Sequence, residues 1–318
     1  MICSPETRAA PNFTTLLSYS METLLQICDD QDSNIRMTAD ECLNRIIRTV
    51  MDSNIVKVHV ELHKEIKKNG SARSLRAALW RFAELAHLIR PNKGKLYIQS
   101  LVPCLMNIAK RKEESVLETL AAAIPKIFSV LGNFTTDKDI ITLLRVFFGN
   151  ISNENAVVRR TAATSIIGLC LNCPKTQFFL IYTLNTLLEM VLPVKIDESP
   201  YTILGVLNCI RGLLGHLNCE GKETIIRGSF GAKRKDNRQA ILSADTLIQV
   251  YELCLNWTHH SDHNIVTAAL ETLNQLLSTP PPQFLSVLLS SQGLTRSRIQ
   301  ASSSAKLSNR NLSKYFFV

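Results

Sequence analysis

The chain has 318 residues, of which 46% are hydrophobic and only 6% aromatic. That length is too great for one small core, and so few aromatic residues leave Leu, Ile and Ala to do the packing, as layered helices require. The net charge of +9 is concentrated: residues 63–112 hold 12 basic and 2 acidic groups, residues 221–240 hold 6 and 2, and residues 291–318 hold 5 and 0. The remaining stretches are acidic on balance, which excludes a continuous basic stripe along a nucleic-acid backbone.

Residues 12–29 place Phe13, Leu16, Leu17, Leu24, Leu25 and Ile27 on a first helix, with a polar turn at Asp29 to Ser33 after it. Ser33 is the expected N-cap of the next helix. That helix runs to about Met51, with Ile35, Ala39, Cys42, Leu43 and Ile46 on one stripe at steps of three and four. Residues 55–69 form the following helix through Ile55, Val58, Leu62 and Ile66, and Gly70 ends it at C′. Its partner covers residues 72–89, and Pro91 and Gly94 close that unit. Three more pairs follow, at 96–110 with 115–131, 137–149 with 155–171, and 174–192 with 199–217. Residues 219–243 contain Gly221, Gly228 and Gly231 and the run Lys233-Arg234-Lys235, and read as a connecting loop. A sixth pair is expected at 244–258 and 263–277, with Asp262 capping its second helix and Pro280-Pro281-Pro282 ending it. The last residues, 291–318, have almost no core formers and predict a disordered basic tail.

One word recurs through these helices. It opens at Ile35, Leu75, Val116, Val158, Ile203 and Ile265, so the steps are 40, 41, 42, 45 and 62. A helical motif returning at roughly 40 to 47 residues marks stacked helix pairs of the HEAT or armadillo kind. The expected fold is therefore all-α: an α-solenoid of HEAT-like helix pairs with a disordered C-terminal tail. The expected division is five pairs over 1–218, a connecting loop over 219–243, the sixth pair and Pro-rich end over 244–290, and the tail over 291–318. A linear core of this kind grows with each repeat.

The chain offers little to catalysis. Nine cysteines at irregular spacing, including Cys170-x-x-Cys173, form no disulfide framework and lack the further ligands that structural zinc needs. They suit a reducing, intracellular compartment, where the glycosylation sequons would carry no meaning. His259-His260-x-Asp262-His263 has metal-ligand residue types, but it falls in a turn where Asp262 already has a capping role. Gly228-Ser-Phe-Gly231 follows no strand, so it is no phosphate cradle, and no nucleophile elbow or His-Glu-x-x-His pair occurs. No enzyme, cofactor or metal is expected. Met1 to Pro11 lacks the apolar run of a signal sequence, and the apolar window Phe178 to Val194 carries Asn185, Glu189 and Pro193, too polar for a membrane span. The candidate partner-binding patch is basic: Lys64, Lys67, Lys68, Arg73, Arg90, Lys93 and Lys95, with Arg76 and Arg81 in the same pair. Against it stands a solvated face, with part of the charge used in an Asp–Arg ladder between repeats, for which Asp30 and Arg36 have the spacing and Gly70 and Arg76 do not.

Longer words add a resemblance. Ala39-Asp-Glu-Cys-Leu-Asn-Arg-Ile-Ile47, Lys64-Glu-Ile-Lys-Lys-Asn-Gly70 and the run from Arg73 to Pro91 resemble the first HEAT repeats of the huntingtin family. So do Glu118-Thr-Leu-Ala-Ala-Ala123, Arg159-Arg-Thr-Ala-Ala163, Gln249-Val-Tyr-Glu-Leu253 and Asp262-His-Asn-Ile-Val266. The resemblance covers about residues 8 to 288. It departs at the start, where the family's amphipathic helix, glutamine tract and proline-rich segment do not appear, and after Ser290, where the tail reads as a truncated product, an alternative end or an incomplete gene model. The resemblance implies a non-enzymatic scaffold for protein–protein interactions in the cytoplasm and nucleus. Its implied partners are motor adaptors and cytoskeletal or vesicle-associated proteins, with roles in vesicle transport on microtubules and in autophagy. Other helical domains of a longer protein would be partners as well. The alternative is a nuclear-transport or nucleic-acid carrier solenoid. Such a carrier would repeat its Trp, Asn or basic residues in register, whereas Trp80 and Trp257 occur once each at different repeat positions.

Overall fold

The computed structural model describes residues 3–192, 199–217, 244–278, 280 and 284–290. The connecting loop and basic tail expected from composition lie outside these residues. The described chain is helical: α1 (Pro5–Ala9), α2 (Phe13–Ile27), α3 (Ser33–Lys68), α4 (Ala72–Leu85), α5 (Pro91–Ala109), α6 (Glu114–Leu131), α7 (Asp137–Ile151), α8 (Ala156–Leu171), α9 (Thr176–Val191), α10 (Pro200–Leu217), α11 (Ala244–Trp257) and α12 (His263–Ser278). Residues 284–290 form one further short helix, α13.

The elements form for local reasons. Asp32, rather than Ser33, caps α3: its carboxylate accepts from the Asn34 amide at 2.8 Å, and Ser33 is already in the helix. Asn54 leaves helical geometry at φ −129°, ψ 23°, so Ser33–Lys68 is two helices joined at a kink, in agreement with the two expected, to about Met51 and from Ile55; its two parts are the first and second halves of α3. Met51-Asp-Ser-Asn54 holds no proline or glycine, and the break falls on a single residue rather than on a loop. Asn69, rather than Gly70, takes the left-handed conformation that terminates α3, at φ 48°. Asn is among the few non-glycine residues that enter this region cheaply. Pro91 does not close a unit but opens α5 as its first helical residue, where its missing N–H costs nothing. Asp262 accepts from the Asn264 amide at 2.8 Å and caps α12 as expected. Thr136 and Asp139 make a reciprocal capping box on α7.

The helices stack as pairs. α2 packs on the first half of α3, the second half of α3 on α4, then α5 on α6, α7 on α8, α9 on α10 and α11 on α12. The second helices of successive pairs, α4, α6, α8, α10 and α12, pack closely on one another, while the first helices touch sparsely. Close spacing on one side and open spacing on the other bends the stack, with the second helices lining its inner surface. The core is one linear cluster, from Phe13 and Leu17 at one end through Leu79, Leu120, Ile166 and Leu207 to Leu276 and Phe284 at the other. Among the described helices, residues 114–134 are long and apolar enough to cross a bilayer by composition. Here that segment lies mid-stack between α4 and α8, burying Leu120, Ile124, Ile127, Phe128 and Leu131.

Candidate functional site

The inner surface is knitted by pairs that join one repeat to the next. Asp40 on α3 meets Arg81 on α4 at 2.6 Å, Glu84 on α4 meets Lys126 on α6, and Glu118 on α6 meets Arg160 on α8 at 3.0 Å. The sequence steps are 41, 42 and 42, and in each case the acid comes from the earlier repeat and the base from the later one. Arg211 and Glu271 join α10 to α12 with the order reversed. The exposed pairs contribute little energy singly, Arg81 alone being buried, but together the pairs favour one register of the stack.

The expected Asp–Arg ladder takes another form. Arg36 does not reach an aspartate of a neighbouring repeat. Its Nη1 donates to the carbonyls of Asp30 and Gln31, at 2.8 and 2.7 Å, in the turn just before its own helix. Arg159 repeats the arrangement on the carbonyls of Asn153 and Glu154, both at 2.8 Å. The turn at Gly70 has no such residue in its own helix. Arg111 serves it from the next turn, donating to the Asn69 carbonyl at 3.0 Å and the Gly70 carbonyl at 2.7 Å. Arg111 also pairs with Glu113 and holds that carboxyl down at about 2. These arginines satisfy turn carbonyls that the helix ends leave open.

Of the groove-forming places, one concentrates charge. About 770 Å³ lies between the first half of α3 and α4, lined by Arg36, Asp40, Glu41, Arg73, Arg76, Trp80 and Arg81 and reached by Thr119 of α6. Arg81 is its floor, 7% exposed, with bonds to Asp40, the Asn44 side chain at 3.0 Å and the Ala77 carbonyl at 3.0 Å. Arg76 is exposed and donates only its Nε, to Thr119 at 3.2 Å, so both its terminal nitrogens lack a partner among the described residues. Arg73 faces Asp29 at 3.9 Å, beyond hydrogen-bond reach. Trp80 is 46% exposed, and the Lys126 ammonium sits 4.3 Å from its ring centroid. Trp257, by contrast, is buried at the end of α11.

The basic patch expected from sequence is split by the fold. Lys64, Lys67 and Lys68 lie on the second half of α3, in the outer layer; Lys64 pairs with Glu61, and Lys68 with Glu22 and Glu65. Arg73 lies in the inner layer at the start of α4. Arg90, Lys93 and Lys95 are exposed at the start of α5. The structure brings Arg73 together with Arg36, Arg76, Trp80 and Arg81, while the three lysines of α3 stand in a different layer. The signal that could have found the groove was the helical register: Arg36 and Arg76 occupy the same place in consecutive copies of the repeated word.

The remaining candidates have local roles. Cys170 and Cys173 are buried, and burial pushes their thiols up to about 12 and about 11; Cys170 lies 3.3 Å from the Thr183 hydroxyl. Such thiols are packed hydrophobes, not nucleophiles. Near Asp262, His260 accepts from the Asp262 amide at 3.0 Å, and His259 lies 3.3 Å from the Leu255 carbonyl. Among the described residues, no group of three or more His, Cys, Asp or Glu side chains is arranged to hold a metal ion.

The family described as "Huntingtin, N-terminal HEAT 1" matches residues 24–175. Huntingtin of Takifugu rubripes is 47% identical over 298 residues, 94% of this chain and 9% of that protein. The HD protein homolog of Dictyostelium discoideum is 26% identical over 227 residues, 66% of this chain and 7% of that protein. The chain thus spans less than a tenth of the length of these curated relatives. Among solved structures, a designed armadillo repeat protein in complex with peptide (KR)4 aligns with TM-score 0.38 at 16% identity, over 80% of this chain and 98% of that one. Computationally designed armadillo repeat proteins for modular peptide recognition align with TM-score 0.39 at 13% identity, over 80% of this chain and 99% of that one. With its repeated helix pairs in place, and with near-half identity to a huntingtin along almost its whole length, the chain belongs to the huntingtin family, in that family's N-terminal HEAT-repeat region.

Proposed function

We propose that this chain is a non-enzymatic scaffold segment that binds protein partners through its curved helical surface. The observation that carries the proposal is the continuous inner surface, built from one helix per pair and held in register by the inter-repeat ion pairs. Membership of the huntingtin family supports it. Vesicle- and microtubule-associated proteins in the cytoplasm and nucleus are the proposed partners, with transport and autophagy as the processes served. A carrier for nucleic acid is the weaker reading, because carboxylates of the ladder interrupt the basic residues along the inner face.

The test is capture from cell extract on the immobilised chain, at low salt and without denaturant. Wild type should retain a defined set of proteins. Leu79→Asp and Leu120→Asp, which place a charge at positions 0% and 1% exposed, should lose that set. Failure of wild type to retain any protein, or equal retention by the disrupted variants, would overturn the scaffold function.

A further inference from the structure

The groove between α3 and α4 has charges in places that do not serve its helices. α4 carries Arg73 in its first turn and Arg76 one turn on, and it has no acidic residue in its first turn, whereas α3 is capped by the Asp32 carboxylate. Helix N-termini are the positive ends of their dipoles and favour carboxylates there, so arginines at this end oppose the local field. Four arginines against two carboxylates line the groove. Arg81 is consumed by Asp40, and Arg36 spends its Nη1 on neutral carbonyls rather than on a carboxylate. Arg76 presents both terminal nitrogens outward beside a half-exposed tryptophan. Positive field, open guanidinium forks and an aromatic surface converge in one concavity.

We propose that this groove takes an acidic, extended segment of a partner protein, with one carboxylate on Arg36, a second on Arg76, and the chain between them lying along Trp80. The proposal rests on the scaffold function above and names the chemistry of its partner. The spacing fits: neighbouring helices lie about 8–10 Å apart, and residues i and i+2, which share one face of an extended chain, are about 7 Å apart, a gap that two long arginine side chains close. Arg–carboxylate pairing is bidentate and directional, which suits a side-chain carboxylate on an ordered strand. A polyphosphate chain is a worse occupant. It would continue along the inner face and meet Glu84 and Glu118, which belong to the ladder.

The test uses a labelled peptide, Gly-Glu-Leu-Glu-Ser-Gly, its twin with Lys in place of Glu, and a single-stranded oligothymidylate. Trp80 is the half-exposed one of two tryptophans, so its fluorescence reports occupancy directly. The acidic peptide should bind saturably, change tryptophan emission and weaken as salt rises. Arg76→Glu should weaken it by roughly tenfold or more, as loss of a charge-assisted pair predicts. The same variant should stay folded, since residue 76 is exposed and its one bond is to the Thr119 hydroxyl, and Trp80→Leu should abolish the emission change. Absence of saturable binding, equal binding of the Lys peptide, tighter binding of oligothymidylate, or unchanged affinity in Arg76→Glu would each overturn the assignment. Extract capture separates the two claims. Peptide failure with capture intact removes the groove assignment alone, and capture failure with peptide binding intact removes the scaffold function alone.

Discussion

Gly205→Ala sets two effects of opposite sign against each other. Gly205 is buried near the start of α10, against the last residue of α7. Alanine is the better helix former by about 1 kcal/mol, so on propensity alone the substitution should stabilise. The added methyl, however, would stand 2.1 Å from the Ile151 carbonyl oxygen and 2.8 Å from the Ile151 Cγ2. A carbon–oxygen contact needs about 3.3 Å or more, so the helices must separate by roughly 1 Å. The obstacle is backbone on both sides, and no rotamer change relieves it. Overpacking of this sort costs about 1–3 kcal/mol, and a backbone clash falls at the upper end, which leaves a net loss of about 2 kcal/mol. Gly149→Ala is the control: it lies in the last turn of α7 and has nothing within 4 Å of the added carbon, so it should gain up to about 1 kcal/mol. Urea denaturation followed by circular dichroism at 222 nm measures both, with hydrogen exchange in 200–217 as a local readout. Equal or greater stability in Gly205→Ala would refute the close α7–α10 approach.

Other outcomes follow from the same contacts. Leu79→Asp or Leu120→Asp buries an unpaired charge and should cost several kcal/mol; unchanged melting in both would refute the helical register. Arg111→Ala removes the donor shared by the half-buried Asn69 and exposed Gly70 carbonyls and should cost about 0.5–1.5 kcal/mol, with faster amide exchange at 69–75 as the check. His59 is buried between Phe82 and Tyr97 with its Nε2 2.9 Å from the Leu85 carbonyl, and burial lowers its pKa. The unfolded chain therefore binds a proton that the folded chain resists, so stability should be full above the ordinary histidine range near pH ~6.5 and fall as pH drops through it. His59→Gln should flatten that fall, and an unaltered pH profile would contradict a neutral buried His59; His63, also shifted down by burial, supplies any residual slope.

The fold was legible because its signal is additive: each copy of the word is weak, but Ile35, Leu75, Val116 and Val158 recur at nearly one step, and all four begin inner-layer helices. Turn chemistry was legible only in part. Both caps lie in a Ser/Asp pair, Asp32-Ser33 and Ser261-Asp262, and in each the aspartate caps; residue type alone does not rank the two members of such a pair. Pro91 was ambiguous for a physical reason: the same ring that ends one helix can begin the next. The groove was the least legible feature. Sequence proximity grouped Lys64, Lys67 and Lys68 with Arg73, yet a helix turn sends them to different layers, while Arg36, 40 residues from Arg76, is its neighbour across the groove. Partnership of that kind is set by stacking, and a linear scan of charge does not contain it.

The kink inside α3 has a mechanical consequence. The chain passes from the first pair to the second through Asn54, the one residue of Ser33–Lys68 that leaves helical geometry. At 86–90, 132–136 and 172–175 the stack changes pairs through turns of several residues, where tension can be taken up by opening a loop. At Asn54 there is almost no slack to give, so tension passes directly into the packing of α2 and α4 on the two halves of α3. Pulled from its ends, the molecule should behave as a spring of unequal stiffness, with extension beginning in the later turns.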